Sequence, residues 1–177
     1  MVQFDLSGKD YEDILIFFDN NVKDYANFGV AIDFNADFKY SKTLRDFIYY
    51  VLDKNNLNYR WKNRFALLTD EIINNAIEHG SNDKNDKVIF VITFSNDLNL
   101  LKVNFEVTSF GKDGEKIDAK TMEKIRKKKI KEGYSSHDSI RGRGLFLIVQ
   151  QIVDRLYFKD AEDGGLVVGI NKNFELE

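Results

Sequence analysis

The densest set of groups able to do chemistry lies in Asp70-Glu71-Ile72-Ile73-Asn74-Asn75-Ala76-Ile77-Glu78-His79-Gly80. Glu71, Asn75, Glu78 and His79 recur at i, i+4, i+7 and i+8, which puts them on one polar stripe of a helix beside its apolar stripe. A carboxylate and an amide oxygen then face one place. Such a pair suits a hard cation such as magnesium, which takes few protein oxygens and completes its shell with phosphate and water, and the carboxylate can orient or deprotonate a nucleophile. The solvated face of an ordinary amphipathic helix has the same pattern.

A second group is Arg141-Gly142-Arg143-Gly144-Leu145, directly before an apolar helical segment. Two glycines at a helix start let backbone amides approach an anion, and the helix dipole favours phosphate there. Arg141 and Arg143 are placed to touch that phosphate; the alternative is a flexible linker entering a helix. Upstream, Lys124, Arg126, Lys127, Lys128, Lys129 and Lys131 form a basic run that could neutralise a triphosphate or meet an acidic partner, or simply be a solvated helix face.

The elements that must hold these groups follow from hydrophobic spacing. Tyr11, Ile14, Leu15, Phe18, Val22 and Tyr25 predict a first helix with Gly29 as its stop. Val30, Ile32 and Phe34 alternate as a strand; Ser41 then reads as a cap for a helix carrying Leu44, Phe47, Ile48, Val51 and Leu52. A third helix runs from about Trp61 to His79 and ends at Gly80. Lys87 to Phe94 and Leu100 to Thr108 read as strands joined at Ser95-Asn96-Asp97. Ser109 to Gly144 reads as a polar excursion with one basic helix from Ala119 to Lys131. Helical spacing returns over Leu145 to Val153, and a last hairpin turns at Asp163-Gly164-Gly165. Hairpin strands with helices between them imply an α+β fold: a two-layer sandwich with a mixed, mostly antiparallel sheet and helices on one face.

Bulk properties narrow the function classes. With 177 residues, one domain is expected. The formal net charge of -3 supplies no global basic field for nucleic acid or an anionic membrane. No run is apolar enough to cross a bilayer and the first ten residues lack a secretion-signal pattern, so a cytosolic location is expected. The absence of cysteine excludes disulfides and thiolate zinc sites, and two histidines, His79 and His137, are too few for a histidine-rich metal cluster.

Taken together, Glu71-x-x-x-Asn75-Ala76 resembles the N box, and Gly142-Arg143-Gly144-Leu145 the second glycine box, of the histidine-kinase-like (GHKL) ATPases, the superfamily of gyrase, Hsp90 and histidine kinases. The ending Glu78-His79-Gly80 and the closing Val153-Asp154-Arg155 hairpin are most similar to the bacterial anti-sigma-factor serine/threonine kinases. The resemblance covers Val30 to Asn173, giving residues 1–29 as an N-terminal helical extension and 30–177 as the ATPase domain. The extension is expected to pack on the core, with homodimer contact as the second reading.

The resemblance implies ATP or ADP with Mg2+ as cofactors. It makes Asn75 the magnesium ligand, Glu71 the general base and the segment from Gly111 to Arg141 a lid; His79 either shapes the phosphate side or is a buried structural histidine. It also implies a kinase that phosphorylates an anti-sigma-factor antagonist and otherwise holds a sigma factor. One departure stands out. The family has Asp-x-Gly after the central strand, where the carboxylate accepts from the adenine amine, and this sequence has Ser109-Phe110-Gly111. Losing a charged acceptor costs about 1.5–3 kcal/mol. The alternative is therefore a degenerate interaction module of the same fold with weak or no ATP binding.

Overall fold

The structure is a computed structural model that describes residues 1–111, 118–132, 149 and 151–175. Six strands form one sheet: β1 (Val2–Asp5), β2 (Phe28–Asn35), β3 (Lys87–Asp97), β4 (Leu100–Ser109), β5 (Arg155–Asp160) and β6 (Leu166–Glu175). Their spatial order is β1-β2-β3-β4-β6-β5, with β1 parallel to β2 and every other neighbour antiparallel. Among the described residues the helices are α1 (Tyr11–Asn21), α2 (Lys39–Lys54), α3 (Tyr59–Gly80) and α4 (Ala119–Glu132), and Val149, Gln151 and Ile152 are also helical, within the segment where helical spacing returns. This is the α+β architecture expected from the spacing.

The two-residue period of the strands divides the sheet into two faces. Val30, Ile32 and Phe34 of β2, and Val88, Phe90 and Ile92 of β3, are buried toward the helices. Leu44, Phe47, Ile48, Val51 and Leu52 of α2 and Phe65, Leu68, Ile72 and Ala76 of α3 close the core from the other side, as their spacing predicted. On the opposite face most side chains are polar or half-buried, with Val167 buried beside Thr108. There Tyr157 lies across Gly169, where an added Cβ would come within 2.2 Å of the ring. The Tyr157 hydroxyl donates to Glu106 Oε1 at 2.6 Å and also lies 2.9 Å from Asn104 Oδ1, tying β5 to β4 across β6.

Four local expectations change. β1 was not legible: four residues are too few to show a period, and its partner is a strand more than twenty residues away. α1 stops at Asn21 rather than near Gly29, because Asp24 accepts from Ala26 N at 2.9 Å and from the Asn27 amide at 2.8 Å, building a turn that competes with the helix; Gly29 sits inside β2. Ser41 is not a cap. α2 begins two residues earlier, and the Ser41 hydroxyl donates to Asp70 Oδ1 at 2.9 Å. The β3–β4 strands continue to Asp97 and resume at Leu100, with the reversal at Leu98 (φ 47) and Asn99 (φ 65). Two consecutive left-handed residues twist the chain in the sense the flanking strands require.

The N-terminal segment is continuous with the core. Asp10 opens α1 with a capping box closed by Asp13. Phe18, fully buried, meets Phe28 and Phe47 edge-on at 5.0 and 5.1 Å, joining α1, β2 and α2. Phe18→Ala is expected to cost about 3–5 kcal/mol with a single unfolding transition in denaturant. A second transition, or a loss below about 1 kcal/mol, would mean that α1 folds apart from the sheet.

Burial, with the Glu106 hydrogen bond adding to it, pushes the Tyr157 phenol up from 10.0 to about 12. The folded state thus holds the proton more tightly than the unfolded chain. Its stabilising contribution is complete below pH 10 and lost as pH rises through about 12. Chemical denaturation across that window should show a steeper loss for the wild type than for Tyr157→Phe. The variant keeps a residual slope from Tyr50, which is also raised to about 12 by burial and by Asp19.

Candidate functional site

α3 is the element on which the candidate site is built. Asn58 opens it by accepting from Trp61 N, and it runs 22 residues to Gly80. Its orientation against α2 is set by Asp70, which accepts from the Ser41 hydroxyl and forms an ion pair with Arg45 Nη1 at 3.0 Å. This half-buried carboxylate stands next to Glu71 in sequence but points its chemistry at α2, so it clamps the helix and is not available to a ligand. Asp, Ser and Arg on separate helices carry no spacing signal that would have revealed it.

One helical turn on from that clamp, Glu71 and Asn75 are half-buried and adjacent: the Asn75 amide nitrogen lies 3.3 Å from Glu71 Oε1. With its nitrogen committed to the carboxylate, the Asn75 amide oxygen is the atom left to bind a cation. The pair fits magnesium in type and number, given that this ion keeps most of its shell as water and phosphate. Among the described residues no three His, Cys, Asp or Glu side chains converge as a metal site, so further ligands would be water and phosphate oxygens. His79 is exposed in the last turn of α3, which removes the reading of it as a buried structural histidine.

The helix ends where β4 ends. Gly111 N donates to Gly80 O at 3.0 Å, closing the C-terminus of α3 on the turn that leaves the sheet. A Cβ added at Gly80 would stand 2.1 Å from Ser109 Oγ and 2.4 Å from Ser109 Cβ, so glycine is required here by the close approach of Ser109. On the far side, a Cβ at Gly165 would lie 2.9 Å from the Ser109 carbonyl oxygen. Ser109 is therefore packed between two glycines and is 7% exposed. Gly111 adopts φ 81, in the left-handed region where glycine is favoured.

These distances bring Glu71, Asn75, His79, Ser109 and Gly111 onto one helix and the turn that touches its end. Arg141, Gly142, Arg143 and Gly144 lie outside the described residues, as does His137. A separate cavity of about 530 Å3 opens between α4 and β5, with Glu123, Arg126, Leu156 and Phe158 among its walls. It shares no residue with the Glu71–Asn75 pair or the Ser109–Gly111 turn, so it is not the same site.

Residues 34–172 match the family described as the histidine kinase-like ATPase domain. The chain belongs to that family. No curated protein sequence matches it. Among solved structures, a chain of the SiaB–SiaC complex from Pseudomonas aeruginosa superposes with a TM-score of 0.54 at 9% identity, covering 93% of this chain and 98% of that one. At that identity the likeness is one of fold. The catalytic domain of histidine kinase ThkA aligns with a TM-score of 0.39 at 18% identity, over 63% of this chain and 66% of its own. No helix among the described residues is long and apolar enough to cross a membrane.

Gly80→Ala should destabilise the fold by about 1–3 kcal/mol, because the methyl group meets a buried neighbour with no room to yield. Ser109→Gly removes both atoms in the way, and Ser109→Ala removes only one. In a double-mutant cycle read by thermal denaturation, Ser109→Gly should recover part of the loss and Ser109→Ala little of it. Simple additivity in both cycles would show that Gly80 and Ser109 are not in contact.

Proposed function

We propose that this histidine-kinase-like ATPase domain is a nucleotide-binding regulator that acts on a protein partner, with ATP or ADP and Mg2+ held on α3. The observation that carries the reading is the Glu71–Asn75 pair, joined through Gly80 to a Gly111 turn of left-handed geometry. In that arrangement the Asn75 amide oxygen is the magnesium ligand. Glu71, half-buried and hydrogen-bonded to Asn75, is the base that takes the proton of an attacking hydroxyl. The backbone amides of Gly142 and Gly144 and the guanidiniums of Arg141 and Arg143 are assigned to the phosphates from the sequence pattern. When bound, the nucleotide would supply the phosphoryl group, and magnesium held by Asn75 would neutralise its developing charge.

The finer reading is a serine/threonine kinase whose substrate is an anti-sigma-factor antagonist and which sequesters a sigma factor when that antagonist is absent. It rests on the N-box and glycine-box resemblance and is supported by a structural neighbour that was solved as a two-protein complex.

Ser109 favours a second reading. A carboxylate in its place would offer adenine a charged acceptor; the serine is short, neutral and packed between Gly80 and Gly165. Ser109 does not fit the adenine role. Nucleotide affinity is accordingly expected to be weak, and an interaction module that keeps the fold and the partner surface is the alternative.

Calorimetric titration with ATP and ADP, with and without magnesium, decides between them. The kinase reading expects magnesium-sensitive binding that Asn75→Ala abolishes while the unfolding midpoint stays within a few degrees. It also expects Ser109→Asp to tighten binding by roughly tenfold to a hundredfold. Absence of binding to the wild type, with none restored by Ser109→Asp, leaves the interaction module. Binding that survives Asn75→Ala removes the magnesium assignment.

A further inference from the structure

The basic run of the sequence becomes an ordered surface in the fold. Within α4, Lys120, Lys124, Lys127 and Lys131 follow one another at steps of four, three and four residues, Lys128 stands beside Lys127 and four residues from Lys124, and all five are exposed. The stripe spans three turns of helix, about 16 Å at 1.5 Å per residue. The opposite face of α4 fixes the helix to the protein. Ala119 N donates to Asp160 Oδ1 at 2.9 Å, anchoring the first turn beside β5. Asp118 caps that turn by accepting from Thr121 N at 2.7 Å. Glu123 and Arg126 form a bidentate pair at 2.6 and 2.9 Å on the wall of the α4–β5 cavity, and Met122, Ile125 and Arg126 are half-buried.

Two physical points single this surface out. Lysines three and four residues apart on one helix face repel one another, and the Lys127–Glu123 ion pair at 3.8 Å offsets part of that repulsion on the ridge. Moreover, α4 holds seven basic residues against two acidic ones, while the rest of the chain holds nineteen basic against twenty-seven acidic. The helix thus carries net positive charge on a chain whose remainder is net negative. A long polyanion such as duplex DNA, or the plane of an anionic membrane, extends beyond the ridge and meets the acidic remainder. A compact acidic protein element, on the scale of one helix, meets the ridge alone. Compact ammonium charges on flexible stems, with no aromatic side chain interleaved among them, also lack the stacking groups that bind single strands.

We propose that the lysine ridge of α4 is a docking surface for an acidic helix or acidic surface strip of a partner protein. It stands on surface charge and helix geometry, goes beyond the proposed nucleotide function and does not depend on it.

The test is fluorescence anisotropy at low salt with fluorescein-labelled polyglutamate as the acidic probe, and with a mixed-sequence DNA duplex and phosphatidylserine vesicles as the competing polyanions. Polyglutamate should bind in a salt-sensitive way and more tightly than either competitor. Lys124→Glu/Lys127→Glu/Lys128→Glu should weaken it by roughly tenfold or more, with Lys124→Gln/Lys127→Gln/Lys128→Gln as the milder variant should the reversal fail to fold. Lys42→Glu/Lys84→Glu/Lys102→Glu, an equal change of net charge elsewhere on exposed positions, should leave binding within about twofold. No polyglutamate binding, tighter binding of DNA or vesicles, or an equal loss in the control variant would each overturn the proposal. Titration of the same variants with ATP separates this outcome from that of the nucleotide reading.

Discussion

The α-carbon of Gly80 is pressed against the side chain of Ser109, and the carbonyl of Gly80 accepts the amide of Gly111. This is where the helical layer and the sheet are locked at the end of the molecule that carries the candidate chemistry. Everything upstream in α3 is positioned by it: Glu71 and Asn75 sit within three turns of the contact, and their place over the sheet follows from the helix axis. A helix held at one end can still swing. The Asp70 clamp to Ser41 and Arg45 fixes it a second time, near its middle, through a half-buried ion pair backed by a hydroxyl donor. The two restraints use different physics, close packing at the tip and charge at the middle, and together they leave Glu71 and Asn75 little freedom.

The same contact bears on the chemistry. The turn holds Ser109 with its side chain against Gly80 and its carbonyl oxygen against Gly165. The left-handed Gly111 sets the backbone path of the turn. Fold and function are thus separable at this point. Packing sets the shape of the turn, whatever chemistry the side chain at position 109 contributes.

Legibility differed from element to element for physical reasons. Long helices with a wide apolar stripe, α2 and α3, and the alternating strands β2, β3 and β4 were readable because their periods repeat enough times to be distinctive. The four residues of β1 repeat too few times, and the strand exists through its ladder with β2. Gly29 and Ser41 were misread for the same reason: each has a local meaning, helix stop or helix cap, that a stronger partner displaced. For Ser41 that partner is a carboxylate on another helix, and for Gly29 it is a ladder between strands.

By itself the sequence determined the α+β class, the polar stripe of Glu71 and Asn75 and the family to which the chain belongs, because each of these is encoded in residue type and short-range spacing. Only the tertiary structure decided which of the neighbouring polar residues do what. Asp70 and Glu71 are adjacent in the chain, yet one is spent on α2 and the other is left beside Asn75. Gly80 looked like a helix stop and is glycine because Ser109 leaves no space for a Cβ. The basic residues of α4 read as a run, and the packing of the helix on β5 leaves Lys120, Lys124, Lys127, Lys128 and Lys131 exposed and Arg126 half-buried. Such assignments depend on which groups come within about 3 Å of one another, a distance that backbone periodicity does not encode and that the packing of distant segments sets.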